Sequence, residues 1–387
     1  MNKSILNAEV QKYINDHLKG DLTQMLLRKS PFSDVSIAEI VQQIKGKNTA
    51  EKKFPFLCES GIVFPPQLNL EQASSQSTGQ YKSHLVVGKS LVDLTCGFGI
   101  DAFWLSQEME TVFLIERNSE LLEIVAHNWS ILGRNANFCN QTLEEFLTQN
   151  PQNFDCIYLD PARRDEQKKK VFLLEDLSPN ILEIQEQLLQ RALRVVVKLS
   201  PLIDIAYLAS NLSHLKEIHV VAVKNEVKEI LVVLEVDNSM SSPQIIVANL
   251  ETDDPICSFS LDALSSAVST YSEPQKYLYI PNNALLKSGA FHWISHHYQL
   301  GKLHPNTHLY TSDFWIDNFP GRAMEVEVVD AKSLKKNEQY NIISKNHPLK
   351  PEEIKKKYQL KDGGEQYLIF TQSRKGKLVL KSKIQNN

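Results

Sequence analysis

Cysteine is scarce, with five in 387 residues, at positions 58, 96, 139, 156 and 257. An odd number with no CxxC pair spells out neither a disulfide framework nor a zinc knuckle, so these side chains read as small buried hydrophobes and no metal is expected. Long apolar runs are also missing. The greasiest stretch, Leu193 to Leu199, is interrupted by Arg194 and Lys198, far short of the ~18 to 20 residues a spanning helix needs, so no membrane partner is expected. The first ten residues show no apolar core followed by small residues, which fails the pattern of a secretory leader and points to the cytoplasm. Internal repeats and low-complexity tracts do not occur. What remains, 42% hydrophobic and 23% charged residues, is folded-protein composition, long enough for two or three domains.

Charge is spread unevenly. Residues 331–387 carry 14 Lys plus Arg against 5 Asp plus Glu, a balance of +9, which leaves 28 against 41, or -13, for residues 1–330. A basic module on an acidic body suggests a polyanion partner, because lysines and arginines that neutralise phosphates release counterions.

Apolar positions at helical spacing (Val10, Ile14, Leu18, then Ile37, Ile40, Val41, Ile44) predict a small helical domain closed by Pro65 and Pro66. From residue 85 the pattern changes. Short β-branched runs at 90–94, 111–116, 137–140, 156–160, 194–198, 217–223 and 229–236 alternate with amphipathic stretches at 101–107, 119–132, 143–149, 175–191 and 203–211. Such alternation makes a parallel sheet covered by helices on both faces. The last two strands are too close for a crossover helix, which forces an antiparallel hairpin. After a polar linker at 237–243, an α+β pattern follows, with strands at 276–280, 324–329 and 340–344, helices at 285–297 and 350–357, and a final hairpin of 366–372 with 377–381. The expected modules are 1–65, 66–240, 241–330 and 331–387.

LVDLTCGFGID, residues 91–101, stands where a strand gives way to a helix. Gly97 and Gly99 permit torsions and close approach that a Cβ would block. Asp93 ends the strand before this loop, and FLIERN places Glu116 and Arg117 at the end of the next one, 23 residues on from Asp93 to Glu116. An acid at that strand tip can accept both hydroxyls of a ribose lying outside the carboxyl edge of the sheet. A dinucleotide loop would show GxGxxG; here Thr95, Gly97 and Gly99 lead into Asp101 and Ala102, and the fingerprint fails.

At these residues the chain resembles class I S-adenosylmethionine-dependent methyltransferases, whose first motif reads DxGxGxG, with Thr95 in place of the first glycine. The resemblance implies a Rossmann-like sheet ending in an antiparallel hairpin, and S-adenosyl-L-methionine as cofactor. DLTCGFGID is similar to the loop of RNA-modifying members that read D-x-x-C/A-G-x-G. LEQASSQST, residues 70–78, resembles the LEQxxT stretch that in some nucleic-acid methyltransferases meets the methionine end of the cofactor, which implicates Gln72 and Thr78; otherwise it is a plain polar helix start. Thr142, at the end of the third strand, falls where the adenine edge is usually read.

YLDPARRD, residues 158–165, occupies the place of the catalytic motif after the fourth strand. Methyl transfer from a sulfonium needs alignment of an electron pair with the methyl group more than acid-base power. In amine-methylating relatives the motif is D/N-P-P-Y/F/W. Asp160 and Pro161 match it; Ala162 and Arg163 do not, so base stacking has to come from elsewhere. A D-P-x-R motif resembles enzymes that methylate pyrimidine carbon 5, but these attack with a cysteine thiolate, and the fifth strand here ends in Lys198, Leu199, Ser200 and Pro201 without one. The preferred acceptor is therefore a base nitrogen. Asp160 would accept its hydrogen bond, and Arg163 and Arg164 would hold phosphate or stack on a base. Lys198, at a neighbouring strand end, would neutralise substrate phosphate or pair with Asp160. Five histidines between 292 and 308 lack the cysteine or acid a zinc site would add, and read as packing residues.

Taken together, LEQASSQST, DLTCGFGID, IERN, DPARRD, KLSPLID and KNEVKEILVVLE, with YIPNNALLKSGAF, DNFPGRAMEV and KNHPLKPEEIKKKYQLKDGGEQYLIF, resemble a Bacteroidetes-type family of methyltransferases with C-terminal ferredoxin-like and THUMP-like domains. THUMP domains bind RNA, so the resemblance implies a transfer or ribosomal RNA substrate. Two other readings stay open: an RNA-binding protein whose methyltransferase fold is inactive, and a methyltransferase for proteins or small molecules.

Overall fold

The computed structural model describes residues 1–163, 173–236 and 242–383, with the Arg163 side chain left aside. The chain forms two compact units, Met1–Lys216 with Leu231–Ser239, and Glu217–Ile230 with Met240–Asn387.

In the first unit, α1 (Ala8–Asp16), α2 (Leu22–Leu26) and α3 (Ile37–Lys53) enclose a cluster of Ile5, Val10, Ile14, Met25, Val35, Ile40, Val41 and Ile44. These include most of the positions whose spacing predicts the helices. Ser36 and Glu39 form a reciprocal capping box that starts α3, satisfying amides the helix itself leaves open. Two short helices follow, α4 (Gln67–Gln72) and α5 (Gln76–Ser83).

Strand and helix then alternate as expected: β1 (Ser90–Asp93), α6 (Ile100–Leu105), β2 (Thr111–Ile115), α7 (Ser119–Ile131), β3 (Asn137–Cys139), α8 (Leu143–Gln149), β4 (Phe154–Leu159), the two-residue strands β5 (Ala162–Arg163) and β6 (Leu177–Ser178), α9 (Ile181–Leu189), β7 (Ala192–Leu199) and α10 (Ile205–Asn211). β7, β4, β1, β2 and β3 lie side by side in that order and every pairing is parallel. Val92, Ile157, Val195, Val196 and Val197 are fully buried, as central strands covered on both faces must be. The expected helix at 175–191 is shorter than its pattern. Glu175 sits in a 3-10 turn, Pro179 follows β6, and the helix begins only where the Asn180 side chain caps the amide of Leu182.

The hairpin β8 (Leu215–Val223) and β9 (Glu226–Leu234) turns through Lys224 and Asn225, both at positive φ (48° and 67°). That two-residue turn is tighter than the loop expected from sequence, and its twist matches that of paired strands.

In the second unit β10 (Gln244–Leu250) pairs in parallel with β8 and antiparallel with β11 (Cys257–Ser260); the sequence reading missed both. After α11 (Leu261–Ser266) comes an eight-stranded sheet built from β12 (Thr270–Tyr271), β13 (Tyr277–Pro281), β14 (Gly301–His304), β15 (Thr307–Ser312), β16 (Gly321–Val329), β17 (Gln339–Ser344), β18 (Lys361–Ser373) and β19 (Gly376–Ser382). The first half of β16 pairs with β13 and its second half with β19, both antiparallel. The single helix expected at 285–297 is two, α12 (Asn283–Lys287) and α13 (Phe291–His297), parted at Gly289, whose φ is +77°. α14 (Pro351–Tyr358) covers the lysine-rich stretch. Of the clustered histidines, His308 stacks on Phe291 and His297 on Trp293, while His292 bonds Ser269. Cys58 is exposed, contrary to the buried reading, whereas Cys96, Cys156 and Cys257 are buried. No helix among the described residues is long and apolar enough to cross a membrane.

Candidate active site

The loop between β1 and α6 rises from the carboxyl end of the sheet. Gly97 adopts φ +56° and Gly99 φ +74°, conformations that favour glycine. The two are required for different reasons. A Cβ on Gly99 would lie 2.8 Å from Val125 and 3.2 Å from the Trp129 indole nitrogen, so that glycine lets α7 close on the loop. A Cβ on Gly97 would meet only a carbonyl oxygen at 3.8 Å; the space beside it is open.

Glu116 reaches across from the end of β2 to this opening. Its carboxylate accepts from the amide of Gly97 at 3.0 Å and from that of Asn118 at 2.8 Å. Two carboxylate oxygens offer about four lone-pair sites, so the group keeps capacity for two sugar hydroxyls. An open glycine cradle faced by a fixed carboxylate fits the ribose of S-adenosylmethionine.

The other predicted cofactor residues scatter around this loop. Asp93 is buried and accepts from the Thr95 amide at 2.9 Å. Burial raises its carboxyl well above the ordinary value, with the Thr95 amide opposing. Arg117 is exposed. Thr142 caps α8 in a capping box with Glu145. Gln72 is exposed at the end of α4, and Thr78 is buried with its hydroxyl on the Ser75 carbonyl. Ser75 itself caps α5, so this stretch is also a polar helix start. Its member that enters the site is Ser74.

Asp160 follows β4, and its amide donates to the Thr95 hydroxyl at 2.7 Å. Thr95, in place of the first glycine of the motif this loop resembles, thus ties the glycine loop to the Asp-Pro motif. The Asp160 carboxylate lies 2.5 Å from the Lys198 ammonium, a contact that matches one of the two roles open to that lysine and leaves the phosphate role as it stood. Pro161 is buried behind Asp160, and Arg163 enters β5 opposite Leu177. Arg164 lies outside the described residues.

Behind this pair sits a buried polar cluster that sequence reasoning missed. Asp101, on the first turn of α6, lies 3.2 Å from the Lys82 ammonium and 3.5 Å from that of Lys198. It also accepts from the Tyr158 and Ser74 hydroxyls, each at 2.8 Å. Lys82 is 0% exposed, so its charge is tolerable only because it is paired. Burial opposes ionisation of Asp101, but Lys82, Lys198 and the two hydroxyls outweigh it and hold the carboxyl below the usual range. Burial pushes Asp160 the other way, against Lys198; its side chain is 36% exposed, so water screens part of the effect. Two sequence signals pointed here: Tyr158 shares its strand face with Asp160 by the period of two, and Lys82 shares its helix face with buried Thr78.

Covalent attack on a pyrimidine finds no nucleophile in this strand. Cys156 is fully buried inside β4, and burial pushes its thiol up to about 12, leaving a protonated, inert group. No group of three or more potential metal ligands occurs among the described residues.

Parallel sheet, open glycine loop, a carboxylate across from it and Asp-Pro motif in this order define a class I methyltransferase. The conserved hypothetical protein 95 family model matches residues 72–197, a ferredoxin-like domain model 277–320, and a THUMP domain-like model 322–381. The crystal structure of a Porphyromonas gingivalis W83 protein assigned as a methyltransferase superposes with TM-score 0.87 and 30% identity, covering 100% of both chains. An uncharacterised RNA methyltransferase of Mycoplasma mobile is 26% identical over 126 residues, 31% of this chain and 35% of its own, so the match spans about a third of that relative. The chain belongs to the family of the Porphyromonas protein, S-adenosylmethionine-dependent methyltransferases with C-terminal ferredoxin-like and THUMP-like domains.

Proposed function

We propose that this enzyme methylates a base nitrogen in transfer or ribosomal RNA, with residues 66–240 carrying the chemistry and the basic stretch 331–387 gripping the RNA. The observation that carries this reading is the placement of Asp160. Its amide is anchored to the cofactor loop through Thr95 and its carboxylate to Lys198, so an acceptor is held beside the cradle with little freedom to move. When bound, S-adenosylmethionine supplies an electrophilic methyl group. Glu116, Gly97 and Gly99 hold the cofactor, with Gln72, Thr78, Asp93, Thr95, Arg117 and Thr142 lining or shaping its place. Asp160 accepts a hydrogen bond from the N–H of the acceptor nitrogen and turns its lone pair toward the methyl group, which is positioning rather than proton abstraction ahead of transfer; the N–H proton leaves to water once the new N–C bond has formed. Arg163 and Arg164 contact the RNA beside it. The closed-off thiol of Cys156 speaks for nitrogen over carbon as acceptor. The +9 balance of the C-terminal stretch and the Mycoplasma relative's name speak for RNA.

The test pairs Asp160→Ala with calorimetry and nucleoside mass spectrometry. Transfer to RNA is lost while cofactor affinity stays within about threefold, since Asp160 orients the acceptor alone. Unchanged turnover removes Asp160 from the mechanism. One methylated nucleoside missing from cells without the protein identifies the product.

A further inference from the structure

Among the buried ionisable groups, Asp101 has no part in cofactor or acceptor binding as described above, yet it is the most heavily bonded carboxylate near the site. Lys82 on α5, Ser74 before α5, Tyr158 on β4 and Lys198 on β7 all converge on it. Ser74 also lies 3.1 Å from Lys82 and 3.4 Å from Lys198. Of these partners, Lys198 is also the one that touches Asp160.

Resting on the assignment of Asp160 above, we propose that Asp101 is a positioning residue for methyl transfer, which aims the Lys198 ammonium and through it fixes the Asp160 carboxylate.

A lysine on a four-carbon stem has many rotamers and orients nothing by itself. A second carboxylate, itself immobile, removes that freedom. Asp101 is held fast because it lies in the first turn of α6 and is bonded from α5, β4 and the segment before α5 at once. The Lys198 ammonium then lies between two carboxylates, at 3.5 Å from Asp101 and 2.5 Å from Asp160. The arrangement also fixes which charges balance. Lys82 and Lys198 offset Asp101 and Asp160, while buried Asp93 is pushed toward its neutral form. Asp160 is thereby held by a cation that does not belong to the substrate, and it serves an uncharged acceptor without waiting for one.

Asp101→Asn alone would leave Lys82 buried without its counter-charge, and the double variant Lys82→Met/Asp101→Asn removes both charges together. In that double variant kcat on RNA falls about 100-fold, the scale of a misplacement near 1 Å. Cofactor affinity by calorimetry and KM for RNA stay within about threefold, because neither binding surface is touched. A loss confined to kcat is not what general damage to the fold produces, and retained cofactor binding shows the unit folded. Lys198→Met gives the same kcat loss and moves the acid limb of the kcat–pH profile to higher pH. Its cause is that the groups facing Asp160 are Lys198 from β7, Asp101 from α6, Lys82 from α5 and Asp93 from β1, and Lys198 is the nearest cation opposing burial. Lys198→Arg restores part of both.

Wild-type kcat in the folded double variant overturns the proposal, as does a loss shared equally between kcat and cofactor affinity. The two levels separate cleanly. If Asp160→Ala is fully active, the assignment of Asp160 fails; if Asp160→Ala is dead and the double variant is normal, only the role of Asp101 fails.

Discussion

Replacing Lys82 by methionine tests the buried cluster by its energetics. Lys82 has no exposed surface, and its ammonium lies 3.2 Å from Asp101. Removing one partner of a buried ion pair costs ~3–5 kcal/mol, because the other charge stays behind. Here Lys198 at 3.5 Å and two hydroxyls at 2.8 Å remain on Asp101, so the lower end, about 3 kcal/mol, is expected. For a unit of about 200 residues that lowers Tm by roughly 6–12 °C. Asp101→Asn in the same chain keeps an acceptor for Tyr158 and Ser74 and removes the stranded charge. The double variant should therefore recover a coupling energy of about 2 kcal/mol relative to the sum of the singles. Thermal unfolding of all four proteins by circular dichroism near neutral pH measures the cycle. Strictly additive singles would show that the two charges do not interact, and the argument from burial would fail.

Glu116→Ala should weaken S-adenosylmethionine binding by at least about 100-fold in calorimetry, since two hydrogen bonds to a charged group are worth about 3–6 kcal/mol together; unaltered affinity would displace the acid from the sugar. Asp93→Asn should gain stability over the parent as pH rises. The parent's carboxyl is raised by burial, so its native state is favoured fully below the unfolded value near ~3.9 and loses that advantage as pH climbs through the folded one. Melting curves at acid and mildly alkaline pH check this, and a constant difference would contradict it. Gly46→Ala should destabilise by about 1–3 kcal/mol although alanine favours helices, because the new Cβ would lie 2.2 Å from that of Phe64; a higher melting temperature would refute the clash. Retention of RNA by the full chain should fall steeply between low and moderate salt if several phosphates are contacted.

Much of the catalytic unit was legible in the residues alone. The parallel sheet followed from short β-branched runs alternating with amphipathic stretches, because burial on both faces leaves no other use for a strand such as Arg194 to Lys198. The loop was legible from Gly97 and Gly99, and Glu116 from its place one strand–helix unit after Asp93. Chain signals failed where local pattern and tertiary packing disagree. Glu175 to Arg191 has an apolar spacing that continues through Pro179, and backbone chemistry, which the spacing does not register, divides it. The strands β10, β11, β14 and β15 went unseen because their alternation is short, and only pairing with distant partners makes them strands.

Composition and local periodicity settled most elements of the parallel sheet and its class, since each depends on a residue and its near neighbours. The meeting of Lys82, Asp101, Tyr158 and Lys198 was decided in three dimensions. Those residues span more than a hundred positions, and each reads on its own as an ordinary surface or strand residue; only chain closure puts two ammonium groups against the Asp101 carboxylate away from water, where their charges become strong enough to hold one another in place.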